Sequence, residues 1–391
     1  NKGSFPVKLT AKDILPEVQG GLLVGRVWSE ARGGPCPVVV QDGEVLDLSH
    51  ASATMAGLLE REDLLAAVRA GGASLGPLDG YLDLGQGQGS LGRLLAPCDL
   101  QAVKAAGVTF AGSMIERVIE ERAKGDPALA EVIRTELAEI LGGNLRGLVP
   151  GSEKAAAVKA HLQNAGLWSQ YLEVGIGPDA EIFTKAQPMA AVGCGAQIGV
   201  HSGSHWNNPE PEVVLAITAR GTICGATLGN DVNLRDFEGR SALLLGKAKD
   251  NNAAAALGPF IRLFDADFTL EDVSTLRVGL EITGQDGFAL ADHSDMAQIS
   301  RQPADLAGQL LNPNHQYPDG AMLYLGTMFA PTKDRDGKGL GFTHKSGDVV
   351  AVSSPQLGRL VNEVQPCHEV EPWSYGTRAL MENLAARGAL A

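Results

Sequence analysis

Residues 208–231 read NPEPEVVLAITARGTICGATLGND. Asn208-Pro209-Glu210-Pro211-Glu212 runs straight into the apolar β-rich stretch that begins at Val213. Two glutamates two positions apart on an extended chain project to one face. Their carboxylates then crowd and repel unless a cation or solvent compensates. A divalent metal resolves the repulsion. Oxygen-only ligands imply a hard ion, Mg²⁺, Mn²⁺ or Ca²⁺, and Mg²⁺ keeps water positions that a chelating substrate can take. The same spacing also suits a solvated acidic edge whose prolines protect a strand end.

Outward from this stretch, short β-rich runs (FIRLFDADF, LRVGLEITGQDG, DVVAVSSP) recur between Gly- and Asp-containing turns from about residue 181 to 364, without a repeat of fixed length. Toward the N-terminus, residues 20–48 alternate apolar and turn residues as a β-meander, with Asp42-Gly43 at a hairpin turn. Residues 54–71 are spaced as one helix ending at a glycine pair. Gly85, Gly87, Gly89 and Gly92 superficially echo a dinucleotide loop, but Pro97 leaves no room for the long helix such a loop needs. Residues 113–143 read as two helices broken near Gly125-Asp126-Pro127, and residues 377–387 as a closing helix. The expected fold class is α+β, with a small N-terminal β-rich domain over residues 1–95 and a large mixed-sheet domain over 96–391.

The 391 residues carry 32 Lys and Arg against 46 Asp and Glu, a formal charge of −14 that disfavours binding to a nucleic-acid backbone. Hydrophobic residues at 44% and charged residues at 20% fit a chain that buries a core. Glycine, at 49 residues, is well above the usual ~7% and points to many tight turns. Apolar runs are too short for a membrane helix. The five cysteines form no C-x-x-C pair, and with no secretory signal at the start they read as reduced thiols, so a cytoplasmic location is expected.

Asp231 lies in GNDVNLRDFEGR and Lys249 in GKAKDNNAAAALGPFI. Together with the paired glutamates these resemble the fumarylacetoacetate hydrolase superfamily, whose members carry Glu-x-Glu before an apolar strand, an Asn-Asp-Val-like motif, and a Lys shortly before Leu-Gly-Pro. The matches are Glu210-Pro211-Glu212, Asn230-Asp231-Val232, and Lys249 before Leu257-Gly258-Pro259; Gly326-Thr327 and SGDVVAVSSPQLGRLVNEV extend the resemblance over roughly residues 100–365. It implies the superfamily's catalytic-domain fold, metal ligands Glu210, Glu212 and Asp231, a site role for Lys249, and a homodimer or homotetramer. In this reading Glu238 is a solvated loop acid.

C–C bond hydrolases of the superfamily carry an Asn-Tyr-x-x-His-x-x-Glu motif whose His/Glu pair activates water. Here GVTFAGSMIERVIEE places Ser113 at the His position and Glu116 at the Glu position. A hydroxyl cannot accept a proton near neutrality as imidazole does. The stretch more nearly resembles the 2-keto-3-deoxy sugar acid dehydratases through Gly107, Thr109, Phe110, Arg117, Glu120 and Glu121. A dehydratase acting on a 2-keto-3-deoxypentonate is therefore expected, forming the semialdehyde of 2-oxoglutarate with Mg²⁺, or Mn²⁺, as cofactor. Lys249, Glu116 and Glu120 are its candidate acid–base groups; Arg117, Lys185, Thr327 and Ser113 are candidates for holding the substrate. The rival readings are an acylpyruvate hydrolase and a non-catalytic sugar-acid sensor. His201 and His205 are four apart, but Gly203 and the following Asn-Asn-Pro oppose the helix a zinc pair would need.

Overall fold

The computed structural model describes residues 8–85, 87–141, 147–164 and 166–390. The N-terminal part supplies β1 (Leu23–Ser29), β2 (Gly34–Gln41), β3 (Glu44–Asp47), β4 (Ser74–Pro77) and β5 (Gly92–Leu95). Asp42 and Gly43, at φ 50° and 79°, make the β2–β3 turn, where both central residues must be left-handed. The helix expected over 54–71 is instead two, α2 (Met55–Leu59) and α3 (Leu64–Ala70), after α1 (Ala11–Ile14). The chain turns between them because Arg61 bonds the Ala51 carbonyl and Asp63, while Glu60 accepts the Ala219 amide. Long-range bonds here override local helix propensity.

Next come β6 (Ala102–Gly107), α4 (Ala111–Ala123), α5 (Pro127–Leu141), α6 (Glu153–Asn164), α7 (Gln170–Ile176) and β7 (Glu181–Ala186). The break between α4 and α5 falls at Lys124-Gly125-Asp126: Lys124 and Gly125 take left-handed φ, and Asp126 accepts the Ala128 amide ahead of the new helix. The remaining strands are β8 (Gln197–Val200), β9 (Asn207–Asn208), β10 (Pro211–Ile217), β11 (Ile223–Asp231), β12 (Asn233–Leu234), β13 (Ala255–Leu263), β14 (Arg277–Thr283), β15 (Ala289–Asp295), β16 (Ala321–Tyr324), β17 (Val349–Ser354) and β18 (Gly358–Pro366). Among them lie α8 (Arg235–Arg240), α9 (Leu245–Lys249), α10 (Leu270–Val273) and α11 (Pro303–Leu310), and α12 (Thr377–Ala386) closes the chain.

Eleven strands form one sheet in the order β4-β3-β2-β1-β13-β11-β10-β16-β6-β7, with β5 on β1. β16 and β6 run parallel and the other pairs antiparallel, so the sheet is mixed. β1 pairs with β13 through Leu23 and Val24, which carries the N-terminal strands into the same sheet as the strands of residues 211–263. A second sheet, β15-β14-β17-β18-β8, packs on it. Along β10, Val213, Leu215 and Ile217 join the core shared with Val278, Leu280 and Val352, whereas Val214 and Ala216 join Val103, Met322 and Tyr324 on the other face. Burial on both faces is why this strand is apolar without alternation. Among the described residues no helix is long and apolar enough to cross a membrane, and all five cysteines are unpaired.

Candidate active site

The β10–β11 register sets Pro211 opposite Asn230 and Glu212 opposite Gly229. The Glu210 carbonyl therefore accepts the Asp231 amide at 3.1 Å, and the end of β11 lies beside the two glutamates. Gly229 is required there, since a Cβ would lie 2.4 Å from the Tyr324 ring. Glu210, Glu212 and Asp231 are 3%, 1% and 1% exposed, and each offers a carboxylate oxygen within 4.8 Å of the others. Glu212 Oε2 accepts the Gly326 amide at 2.8 Å, but its Oε1 is buried without a hydrogen-bond partner among the described residues. Three buried carboxylates with an oxygen left over, all hard donors, fit one divalent cation.

Two lysines partly balance the charge. Lys249, at the end of α9, places Nζ 2.7 Å from Glu210 and 3.0 Å from Asp231. Lys185, on β7, sits 2.9 Å from Asp231 Oδ1 and donates to the carbonyls of Val232 and Lys249. Burial raises the Glu210 pKa from its usual 4.5 to about 7, against the lowering influence of Lys249 and Arg117. Glu212 is raised further, by burial and by the charges of Asp231 and Glu210. Asp231 goes the other way: burial raises it, but Lys185 and Lys249 more than reverse that, to about 2. Burial also acts to lower Lys249, yet Asp231, Glu210 and Glu238 hold its ammonium above the usual range.

A narrow cavity of about 30 Å³ opens beside these groups, lined by Glu210, Asp231, Lys249, Arg117, Glu181 and Glu238, with Tyr171 and Thr327 also on its wall. Arg117 reaches in from α4, 2.5 Å from Glu210 and in close contact with Glu238. Glu238 is thus corrected from a solvated loop acid: it is 5% exposed, on α8, and faces Arg117 and Lys249. Burial raises its pKa, with Arg117 and Lys249 opposing. Glu181, at the start of β7, is likewise raised by burial against Arg117. Glu181, Glu238 and Tyr171 had no local signal, because their place on the wall depends on how α7, α8 and β7 meet.

The other candidates are distributed differently. Glu116 and Glu120 lie off the cavity wall, where Arg235 joins them at 2.7 Å each; Arg134 also holds Glu116, and Arg117 holds Glu120. Arg235 in turn stacks 4.4 Å over the Trp206 ring. Ser113 is buried, and its hydroxyl donates to the Phe110 carbonyl. Lys185 is fully enclosed, so it supports Asp231 and does not reach substrate space. Thr327 donates to the Phe329 carbonyl at 3.0 Å. Gly107 lines the cavity, where a Cβ would strike Glu181 Oε2 at 2.0 Å, and Thr109 is a packing position whose hydroxyl donates to the Leu325 carbonyl just before Gly326. Between them Val108 is held at φ 59°, a costly conformation for a β-branched residue. His201 accepts the Gly203 amide within its loop and belongs to no carboxylate cluster found among the described residues.

Residues 153–365 match the fumarylacetoacetate (FAA) hydrolase C-terminal family. The chain is 32% identical over 185 residues to the 2-dehydro-3-deoxy-D-arabinonate dehydratase of Saccharolobus solfataricus, covering 47% of this chain and 58% of that protein. It is 28% identical over 206 residues, 53% of this chain and 67% of the relative, to a Haloferax volcanii protein named "Probable 2-keto-3-deoxyxylonate dehydratase". Among solved structures, 2-keto-3-deoxy-D-arabinonate dehydratase complexed with magnesium and 2,5-dioxopentanoate superposes with a TM-score of 0.58 at 22% identity, over 88% of this chain and 99% of that one. This last likeness bears on the fold.

Proposed function

Because the chain belongs to the fumarylacetoacetate hydrolase C-terminal family, we propose that it is a metal-dependent hydro-lyase that removes water from a 2-keto-3-deoxy sugar acid, 2-keto-3-deoxypentonate, and yields 2-oxoglutarate semialdehyde. The observation that carries this reading is the buried trio Glu210, Glu212 and Asp231, with the Glu212 oxygen that no donor among the described residues satisfies, beside a cavity walled by further acids and cations. The likeness to two sugar-acid dehydratases supports the substrate class. Those three carboxylates would hold Mg²⁺, or Mn²⁺, which supplies Lewis acidity at the 2-keto acid and makes the C3 protons more acidic.

The protein's own groups account for the proton traffic. Lys249, whose ammonium Asp231, Glu210 and Glu238 hold above the usual range, stabilises negative charge developing on the substrate oxygens. Glu181 and Glu238 are the cavity acids outside the trio, and burial brings both toward the range in which a carboxyl gives and takes protons. One accepts the C3 proton and the other protonates the C4 hydroxyl as it leaves as water, giving the 3,4-unsaturated 2-keto acid; a proton then leaves C5 and one is taken up at C3, and the C4–C5 enol so formed is protonated at C4 to give the C5 aldehyde. Arg117 and Thr327 orient the substrate. With about 30 Å³ of free space, substrate entry requires the Arg117 and Glu238 side chains to move aside. Ser113, tied to the Phe110 carbonyl, offers no base for hydrolysis.

Incubation of Mg²⁺-loaded protein with 2-keto-3-deoxypentonate, coupled to a semialdehyde dehydrogenase, should reduce nicotinamide, and EDTA or Glu212→Gln should abolish the signal. Silence with this substrate, together with cleavage of an acylpyruvate, would replace the dehydratase by a hydrolase.

A further inference from the structure

A second cavity, of about 620 Å³, lies between β1, β5, the loop at residues 189–197 and the segment 370–375, and shares no lining residue with the narrow one. Its floor follows from strand register. Arg26 pairs with Leu95 and Trp28 with Arg93 across β1 and β5. Side chains alternate along a strand, so Arg26, Trp28, Arg93 and Leu95 share one face. The two arginines are diagonal neighbours there, about 7–8 Å apart at the backbone in such pairs. Like charges side by side are unfavourable, and they are unexpected in a chain of net charge −14.

Among the described residues neither guanidinium has a full set of close partners. Arg26 is 6% exposed; its Nη2 has only the Met189 sulfur at 3.7 Å, and its Nε is 3.7 Å from Asp99. Asp99 is already engaged, since it accepts the amides of Met55, Ala56 and Leu100. Among the described residues Arg93 Nε is buried with no hydrogen-bond partner, and so is the Tyr375 hydroxyl. The Arg93 guanidinium lies 5.9 Å from the Trp28 ring, and Tyr375 meets that ring edge-on at 5.3 Å. Trp373, 47% exposed, stands on the same wall. Glu371 is the single acid among the described lining residues, and it is exposed to solvent. Buried donors of a guanidinium are costly when unpaired and bind carboxylate or phosphate strongly when paired.

We propose that this cavity is a second ligand site, taking a small organic anion whose carboxylate or phosphate sits between Arg26 and Arg93 and whose flat apolar body lies against Trp28 and Tyr375. Calorimetric titration of the full chain with benzoate, phenyl phosphate and inorganic phosphate tests it. Saturable binding of benzoate or phenyl phosphate is expected, weakened about tenfold or more by Arg93→Gln and measurably by Trp373→Ala, with turnover in both variants unchanged; the better of the two aromatic anions identifies the head group. No heat from either aromatic anion up to about 10 mM, or binding equally tight in both folded variants, would overturn the site. Inorganic phosphate binding as tightly as phenyl phosphate would overturn the role of the aromatic wall.

Discussion

Glu238 shows how little a residue's neighbours in the chain say about its surroundings. It sits in RDFEGR, a charged hexapeptide, yet its carboxylate is buried against Arg117 and Lys249. If it moves a proton in the dehydration, Glu238→Gln removes that proton while keeping shape and hydrogen bonding. We expect kcat to fall about 10²–10⁴-fold, with KM and Mg²⁺ affinity little changed, as steady-state kinetics and calorimetry would read. A loss confined to KM would make Glu238 an orienting group. Gly326 is a second instance. At φ 102°, with a Cβ only 2.0 Å from the Thr109 hydroxyl oxygen, it tolerates no side chain. Gly326→Ala should cost about 1–3 kcal/mol in unfolding free energy and displace the amide that Glu212 accepts, lowering Mg²⁺ affinity as well.

At the scale of elements, α4 and α8 are clamped by charge as much as by apolar packing. Arg235, 2% exposed, joins α8 to Glu116 and Glu120 on α4 and stacks on Trp206. Removing one partner of a buried ion pair leaves the other's charge stranded. Arg235→Met should therefore lower the urea unfolding free energy by roughly 3 kcal/mol, the lower end for such a loss, because Arg134 and Arg117 still hold the two glutamates. Turnover should fall with it, since α8 carries Glu238 and α4 carries Arg117. An unchanged urea midpoint would mean that apolar contacts suffice to hold the helices.

For the whole molecule the concentrated charge predicts a link between pH, metal and stability. Glu210 and Glu212 have folded pKa values above their unfolded ones, so their contribution is complete below pH ~4.5 and is lost as pH rises through the folded values. Asp231, depressed to about 2, contributes above its unfolded pKa and adds no slope near neutrality. Metal-free protein should therefore lose stability between about pH 5 and 8. Mg²⁺, which favours the ionised carboxylates, should raise Tm by an amount that grows across that window, on the order of a few degrees at the top. Scanning calorimetry with EDTA or Mg²⁺ reads this directly, and Glu212→Gln should flatten the difference. A Tm gap that shrinks with pH would place the cation elsewhere.

Local patterns in the chain were enough for the mixed-sheet α+β architecture, most element positions and the proximity of Glu210 to Glu212, because strand alternation, turn chemistry and helix stops act over a few residues. Family motifs added Asp231 and Lys249, which tertiary packing brings to the two glutamates. Rotational phase on α4 was not legible. Glu116 and Glu120 lie about 40° apart around the helix, with Arg117 about 100° from the first and about 60° from the second, and it is Arg117 that reaches the cavity while the glutamates turn to Arg235. The enclosure of Lys185, the burial of Glu238, the place of Glu181 on the cavity wall, and the diagonal approach of Arg26 and Arg93 across β1 and β5 belong to the tertiary structure for the same reason. Each depends on which surfaces meet, and the free energy that decides this is summed over contacts between residues far apart in the chain.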